Sequence, residues 1–246
     1  MNLFEIDELG MYFGEDFIIN DKISISQPTI GEIMHFNERK YFQMVNNLCC
    51  IPSDIKSVLW DQGIDYEEIS DFELFMMISK GMKPEDTYLL LGDIDLSSFV
   101  EYINNDNGEL VLVDEKHQIV IDKLIYQRMI DYIRKMHNIT PKVEHAYNQT
   151  TKRILIDLNR NDLQMAAKKP YKSTLRPLVS AMVNSAGFKY NAREVLDVGL
   201  VEFMDSVQRI PIINNSQALL KGCYSGMIDT TKIDKNALNW MKDIGE

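Results

Sequence analysis

Catalysis and metal binding need histidines, cysteines, carboxylates or a nucleophile at short, definite spacings, and in this 246-residue chain such residues are scattered. The four histidines, His35, His117, His137 and His145, show no i, i+4 pairing and no cysteine partner, so they predict no zinc site. Cys49 and Cys50 are adjacent and Cys223 stands alone, which gives neither a C-x-x-C pair nor a disulfide framework; all three read as buried thiols. The run GCYSG at 222–226 carries its serine in the fourth position, where a nucleophile elbow needs the third, and no strand precedes it; it reads as a helix end. The acids Asp61, Asp65, Glu67, Glu68, Asp71 and Glu73 lack the glycine and ligand spacing of a calcium loop and read as a solvated face. Neither glycine-rich phosphate cradle occurs. No catalytic, cofactor or metal site is therefore expected, and the chain reads as a non-enzymatic protein.

Two features point instead to contacts between macromolecules. Lys152, Arg153, Arg160, Lys168, Lys169, Lys172 and Arg176, with Tyr171 among them, form a basic segment. Point charges of this kind can touch phosphate without reading sequence. Against nucleic acid stands a chain pI near 4.9, so an acidic protein surface is the favoured complement of Lys168, Lys169 and Lys172. The second feature is methionine, 14 residues of it. Its unbranched thioether fills core gaps and also suits surfaces that must fit apolar partners of varied shape. In SDFELFMMISK at 70–80, Phe72, Met76 and Met77 cannot all face one core from one short helix, so a partner-facing position is expected among them.

Charge divides the chain. Through Asp122 there are 25 acids against 7 lysines and arginines, a balance of −18; from Lys123 onward 12 acids face 19 bases, a balance of +7. Opposite charges let the halves pack together, or let one half steer a partner. No apolar run is long enough to span a bilayer, and the start MNLFEIDELG is acidic where a signal peptide is basic, so a cytoplasmic protein is expected.

The elements follow from start and stop signals. Thr29/Glu32 and Ser70/Glu73 have capping-box spacing, Asn191/Glu194 resembles one, Ser53 can cap SDIKSVLWDQG, and Gly63 can end that helix. DFIINDKISISQP reads as a hairpin turning at Asn20 and Asp21. Tyr88–Leu91 reads as a short strand, and 99–103, 109–113 and 118–121 as a meander turning at Asn107-Gly108. Asp122 opens an amphipathic helix that Pro141 stops, and KVEHAYNQTTK reads as a linker or a crossing loop. Helices follow at 150–168 and 173–185, then short ones with Pro211 as a stop, then SQALLKGCYSG and KNALNWMKDI. The fold class is α+β, predominantly α-helical, with a small N-terminal β-hairpin and a three-stranded meander against helical bundle packing. Residues 1–121 form an acidic α+β region and 122–246 a basic, nearly all-helical one, as two units or one continuous body.

The IGEI box at 30–33 after the hairpin, IPSDIKSVLWDQGIDYEEISDFELF at 51–75 and the ending LNWMKDI at 238–244 resemble proteins encoded among the tail genes of Firmicutes tailed bacteriophages. The resemblance spans most of the chain and carries no catalytic residues. It implies a tail assembly chaperone in the host cytoplasm, coating the long apolar helix of a tape measure protein before tube subunits polymerise. A structural tail or baseplate component of the virion, self-associating or bound to tube proteins, is the alternative it leaves open, and a nucleic-acid binder is the second alternative.

Overall fold

The computed structural model describes residues 6–105, 107–229, 231 and 233–244; the first five residues of the acidic start lie outside them. It is mostly helical, with a two-stranded hairpin and a three-stranded antiparallel sheet.

A short helix α1 (Glu8–Tyr12) leads to the hairpin of β1 (Phe17–Ile18) and β2 (Ser24–Ile25), which pairs Phe17 with Ile25 and Ile18 with Ser24. Pro28 then leaves the sheet and Thr29 caps α2 (Ile30–Phe36): its hydroxyl accepts the Glu32 N–H, and the Glu32 carboxylate accepts the Thr29 N–H at 2.8 Å. Sequence periodicity carries this helix straight on into Tyr41–Cys50. The chain instead breaks at Asn37, which takes φ 91° and whose side-chain oxygen accepts the N–H groups of Arg39 and Lys40 to start α3 (Glu38–Cys49). Asparagine tolerates positive φ and caps well, so one residue ends one helix and opens the next.

Ser53 does not cap. Pro52–Asp54 forms a single 3₁₀ turn closed by Asp54, which accepts the Ile51 N–H at 3.0 Å, and α4 (Lys56–Asp61) begins after it without a side-chain cap. Gly63 does take the positive φ expected of a helix stop. The Ser70/Glu73 box forms as read and opens α5 (Asp71–Ser79). The expected strand at Tyr88–Leu91 is the end of helix α6 (Pro84–Leu91). Pro84 in its first turn, followed by Glu85 and Asp86, suits a helix start, and a four-residue apolar run does not tell strand from helix.

The meander is present as β3 (Val100–Ile103), β4 (Leu110–Asp114) and β5 (Ile119–Ile121), paired Val100↔Val113 and Val113↔Val120. Gly108 of the Asn107-Gly108 pair has positive φ, at 72°, within a loop closed by Asn104 and Glu109. Leu112, Ile119 and Ile121 face inward, while Val100, Tyr102 and Val120 on the other face stay exposed.

Asp122 caps α7 (Lys123–Met136), whose Tyr126, Met129, Ile130, Tyr132, Ile133 and Met136 are buried against α3, α5 and β5, while Leu124 in its first turn is exposed. This is the centre of the main core, which draws on residues either side of 121/122, from Ile25, Tyr41 and Phe75 to Leu175 and Phe203. Beside it α8 (Gln149–Lys168) lies on α4 over a smaller cluster of Leu59, Tyr66, Leu74 and Ile156.

The last elements are α9 (Leu175–Val183) and α10 (Leu200–Tyr224). Pro211 does not stop α10, and the two helices expected around it are one. A proline inside a helix costs about 3 kcal/mol in isolation, and here Phe203, Val207 and Ile210 pack on the core before it while the returning chain packs after it. Ser216 donates to the Leu238 carbonyl at 2.8 Å, and Arg209 to those of Trp240 and Lys242. The expected final helix is only a 3₁₀ turn at Lys235–Leu238.

Because a β-branched side chain is strained at φ 72°, Gly108→Val is expected to destabilise by about 1–2 kcal/mol while the sheet keeps its register. Urea unfolding with far-ultraviolet circular dichroism checks both.

Candidate binding cleft

The seam from which the site is built lies where the entry to α2 meets the entry to α10. Thr29 and Gly199, the residues preceding these helices, form an isolated antiparallel bridge; the Ile30 N–H donates to the Val198 carbonyl and the Leu200 N–H to the Pro28 carbonyl, each at 3.0 Å. Gly31 makes the approach possible, since a Cβ there would stand 2.8 Å from the Leu196 carbonyl oxygen. The Asn191/Glu194 box is formed, with reciprocal bonds of 2.9 and 3.1 Å, and it positions the 3₁₀ turn Glu194–Asp197 that carries Leu196.

Next to this seam α9 begins after Thr174, whose side chain does not cap it, while Ser173 Oγ accepts the Arg176 N–H at 2.9 Å. Glu38, the first residue of α3, satisfies the amides before it: its carboxylate accepts the N–H groups of Thr174 and Leu175 at 2.7 and 2.8 Å. Burial pushes the Glu38 carboxyl up, but hydrogen bonds from Ser173, the two backbone amides and Tyr171 outweigh it and hold the group below the ordinary carboxylate range. Arg39, one residue on, lies over the Tyr171 ring, 5.9 Å from its centre.

Between these parts opens a cleft of about 660 Å³. Its lining is mostly apolar, with Ile30 and Met34 from α2 facing Leu175 and Val179 from α9, and Leu196 between; Arg39, Arg176 and Tyr171 also line it. Met34 is 52% exposed, a large apolar side chain left in the open at the cleft. Three other hollows measure about 180 to 250 Å³ and are more polar.

The residues expected to bind a partner fall in different places. On α5, Phe72 (5% exposed) and Met76 (3%) belong to the main core, and Phe72 also borders one of the small hollows, with Asp71 and Arg134; Met77, at 38%, is the partly open member. Lys168, Lys169 and Lys172 are exposed on the stretch that leads into α9, so they stand on the approach to the cleft and away from α5. Sequence reading did not single out Met34, Arg39 or Val179. The signal available was the unbroken apolar pattern through 30–50, which gave no reason to break the helix at Asn37.

Lys152 and Arg160 of the basic segment are engaged inside the molecule, while Arg153 is exposed. Lys152 is buried and donates to both Asp65 oxygens, at 2.6 and 2.8 Å, and pairs with Glu67. Burial opposes its charge, yet the two carboxylates outweigh that and push its pKa up. Burial likewise pushes Asp65 up, and the bonds from Lys152 and the Glu67 N–H hold it below the ordinary range; Glu67 is held down by Lys152 and by the Ala146 N–H. Arg160 bonds to Asp61 at 2.7 Å and to Asp157 at 2.8 Å. The supposed linker is strapped to the same face: Glu144 pairs with buried Lys56 at 2.7 Å and its N–H donates to Ser53 Oγ. The acidic cluster at 61–73 is thus partly covered by α8.

Of the three thiols expected to be buried only Cys49 is, Cys50 and Cys223 being part-exposed, and of the histidines His137 is held in the interior. His137 Nε2 meets the Tyr41 hydroxyl at 2.7 Å and its Nδ1 the Ile133 carbonyl; burial pulls its pKa down to about 4, so it is neutral at pH 7. Burial pushes the Cys49 and Cys50 thiols up to about 12, which leaves them inert as nucleophiles. Among the described residues no three His, Cys, Asp or Glu are grouped to hold a metal ion, and no helix is long and apolar enough to cross a membrane.

Residues 167–245 match the family model of the YomV second domain. That family is phage-associated. The match opens in the last turn of α8, whereas the charge balance divides at 122/123, and it takes in the α9 wall of the cleft with Tyr171, Arg176 and Leu196. No curated protein and no solved structure matches the chain. The cleft therefore lies between the matched domain and the residues before it.

Two measurements check these placements. Phe72→Ala is expected to cost about 3–5 kcal/mol by opening a cavity, while Met77→Asp changes stability by no more than about 1 kcal/mol; equal losses in urea unfolding would contradict the burial difference. Lys152→Met is expected to cost about 2–3 kcal/mol at pH 7, less than breaking a fully buried pair because the carboxylates are part-exposed. The lowered carboxyls of Asp65 and Glu67 contribute stability above the ordinary carboxylate range, near pH 4, and lose it as pH falls through their folded values. The wild type should lose more stability than Lys152→Met between about pH 6 and pH 3.

Proposed function

We propose that this chain is a non-enzymatic phage assembly protein that holds an apolar helix of a tail partner, as a tail assembly chaperone holds a tape measure protein, and that it does so in the cleft between α2 and α9. The single observation that carries this reading is the open apolar cleft with Met34 exposed over it. The cleft-lining residues Leu175, Arg176, Val179 and Ser180 lie along one face of α9, and helix-in-groove recognition uses a surface of this kind. Methionine on the opposite wall can repack around different side chains. The phage-associated family and the tail-gene resemblance support the setting, the host cytoplasm during assembly.

A structural role in the tail or baseplate is the second reading, favoured by the exposed apolar face of the sheet at Val100, Tyr102 and Val120, which suits permanent contact with another subunit or a second copy. Nucleic-acid binding loses ground because Lys152 and Arg160, two members of the basic run, face carboxylates of the same chain.

Coexpression with the neighbouring tape measure candidate tests the proposal. Wild-type protein and Met77→Asp should keep that partner soluble, and Met34→Asp, on an exposed position that tolerates the change, should not. No rescue by the wild type, together with stoichiometric presence of the protein in purified particles by mass spectrometry, would assign it to the virion.

A further inference from the structure

We infer that the helix taken up by the cleft is acidic along its flanks, and that Arg39 and Arg176 read those carboxylates; this rests on the helix-holding reading above. The protein as a whole carries a net charge of −11, yet the charge around this cleft is of the other sign. Arg39 and Arg176 line it, and Lys168, Lys169 and Lys172 are exposed on the chain that enters it. The carboxylate of the lining, Glu38, accepts the amides that open α9 and so is tied down there. Among the described residues neither Arg39 nor Arg176 stands in an ion pair, whereas Arg134, Arg160 and Arg209 each do.

Guanidinium presents a planar fork that matches a carboxylate in two parallel bonds, and at the edge of an apolar cleft it does so partly shielded from water. A partner helix would set an apolar ridge at i, i+3, i+4 and i+7 onto Met34, Leu175 and Val179, and its flanking acids would reach the two arginines. The same positive rim raises the encounter rate with an acidic partner and disfavours basic helices of equal apolarity, which gives selection that an apolar groove alone lacks.

Two synthetic peptides of roughly 20 residues, long enough to form helix on binding, carry the same leucine ridge and differ only in glutamate or lysine flanks. Fluorescence anisotropy with the full chain at about 50 mM salt should favour the glutamate peptide by about tenfold or more, and the preference should shrink severalfold at about 0.5 M salt, where the screening length is near 4 Å. The double variant Arg39→Glu, Arg176→Glu should reverse the preference, and Lys80→Glu, remote from the cleft, should leave it unchanged; thermal unfolding verifies that both variants are folded. Equal binding of the two peptides, or a preference that the double variant retains, overturns the acidic-flank inference and leaves the cleft reading standing. Binding of neither peptide brings down the cleft reading itself. An oligothymidylate that binds the same arginines more tightly than the glutamate peptide would assign the rim to phosphate and overturn the inference.

Discussion

The constraint on which the site depends is the close backbone approach at Thr29–Gly31 and Val198–Leu200. Two helix entries can share one bridge only if no side chain stands between them, and Gly31 against the Leu196 carbonyl meets that condition. Once α2 and α10 start from a common point, the 3₁₀ turn bearing Leu196 is held under α2, and α9, packed on α10, runs opposite Met34. Glu38 then ties down the near end of α9 by accepting its first two amides, beside the local cap that Ser173 gives Arg176. A carboxylate at a helix start satisfies open amides and complements the macrodipole together, so a single residue of α3 sets the position of the opposite wall.

The opposite charge of the two halves is largely an internal matter. Lys152 and Arg160 of α8, with Lys56 answered by Glu144, tie the basic half to the acidic face of α4 and the loop after it. The Tyr66 ring, within 6 Å of both Lys56 and Lys152, gives these cations an aromatic surface as well. Pairs of this kind are not large sources of stability, because desolvation offsets the attraction, but they fix which surfaces meet. Lys168, Lys169, Lys172 and Arg176, on the stretch that runs beside the cleft, are exposed.

Packing explains why the greasy α5 shows little of its apolar surface to solvent. Phe72 and Phe75 lie against Tyr126 with ring centres 5.3 and 4.9 Å apart, and Met76 fills the same core, so only Met77 is left toward solvent. The methionines divide likewise. Met44, Met76, Met129, Met136 and Met182 are buried, and Met34, Met77, Met165 and Met241 are exposed.

Local chemistry by itself determined a good deal. The capping boxes at Thr29 and Ser70, the Asp122 cap, the hairpin, the three-stranded meander and the α+β class all follow from bonds between residues a few positions apart, which a sequence displays directly. The errors come where a distant partner outweighs the local signal. Pro211 reads as a stop, yet packing on both sides carries α10 past it. Tyr88–Leu91 reads as a strand, yet Pro84 and the core make it helix. Asn37 could be seen as a turn-former but not as the break between two helices. The cleft belongs wholly to the tertiary structure, since Met34 and Arg39 meet α9 across more than a hundred residues, and the bridge at Gly199 and the bonds from Glu38 bring them together.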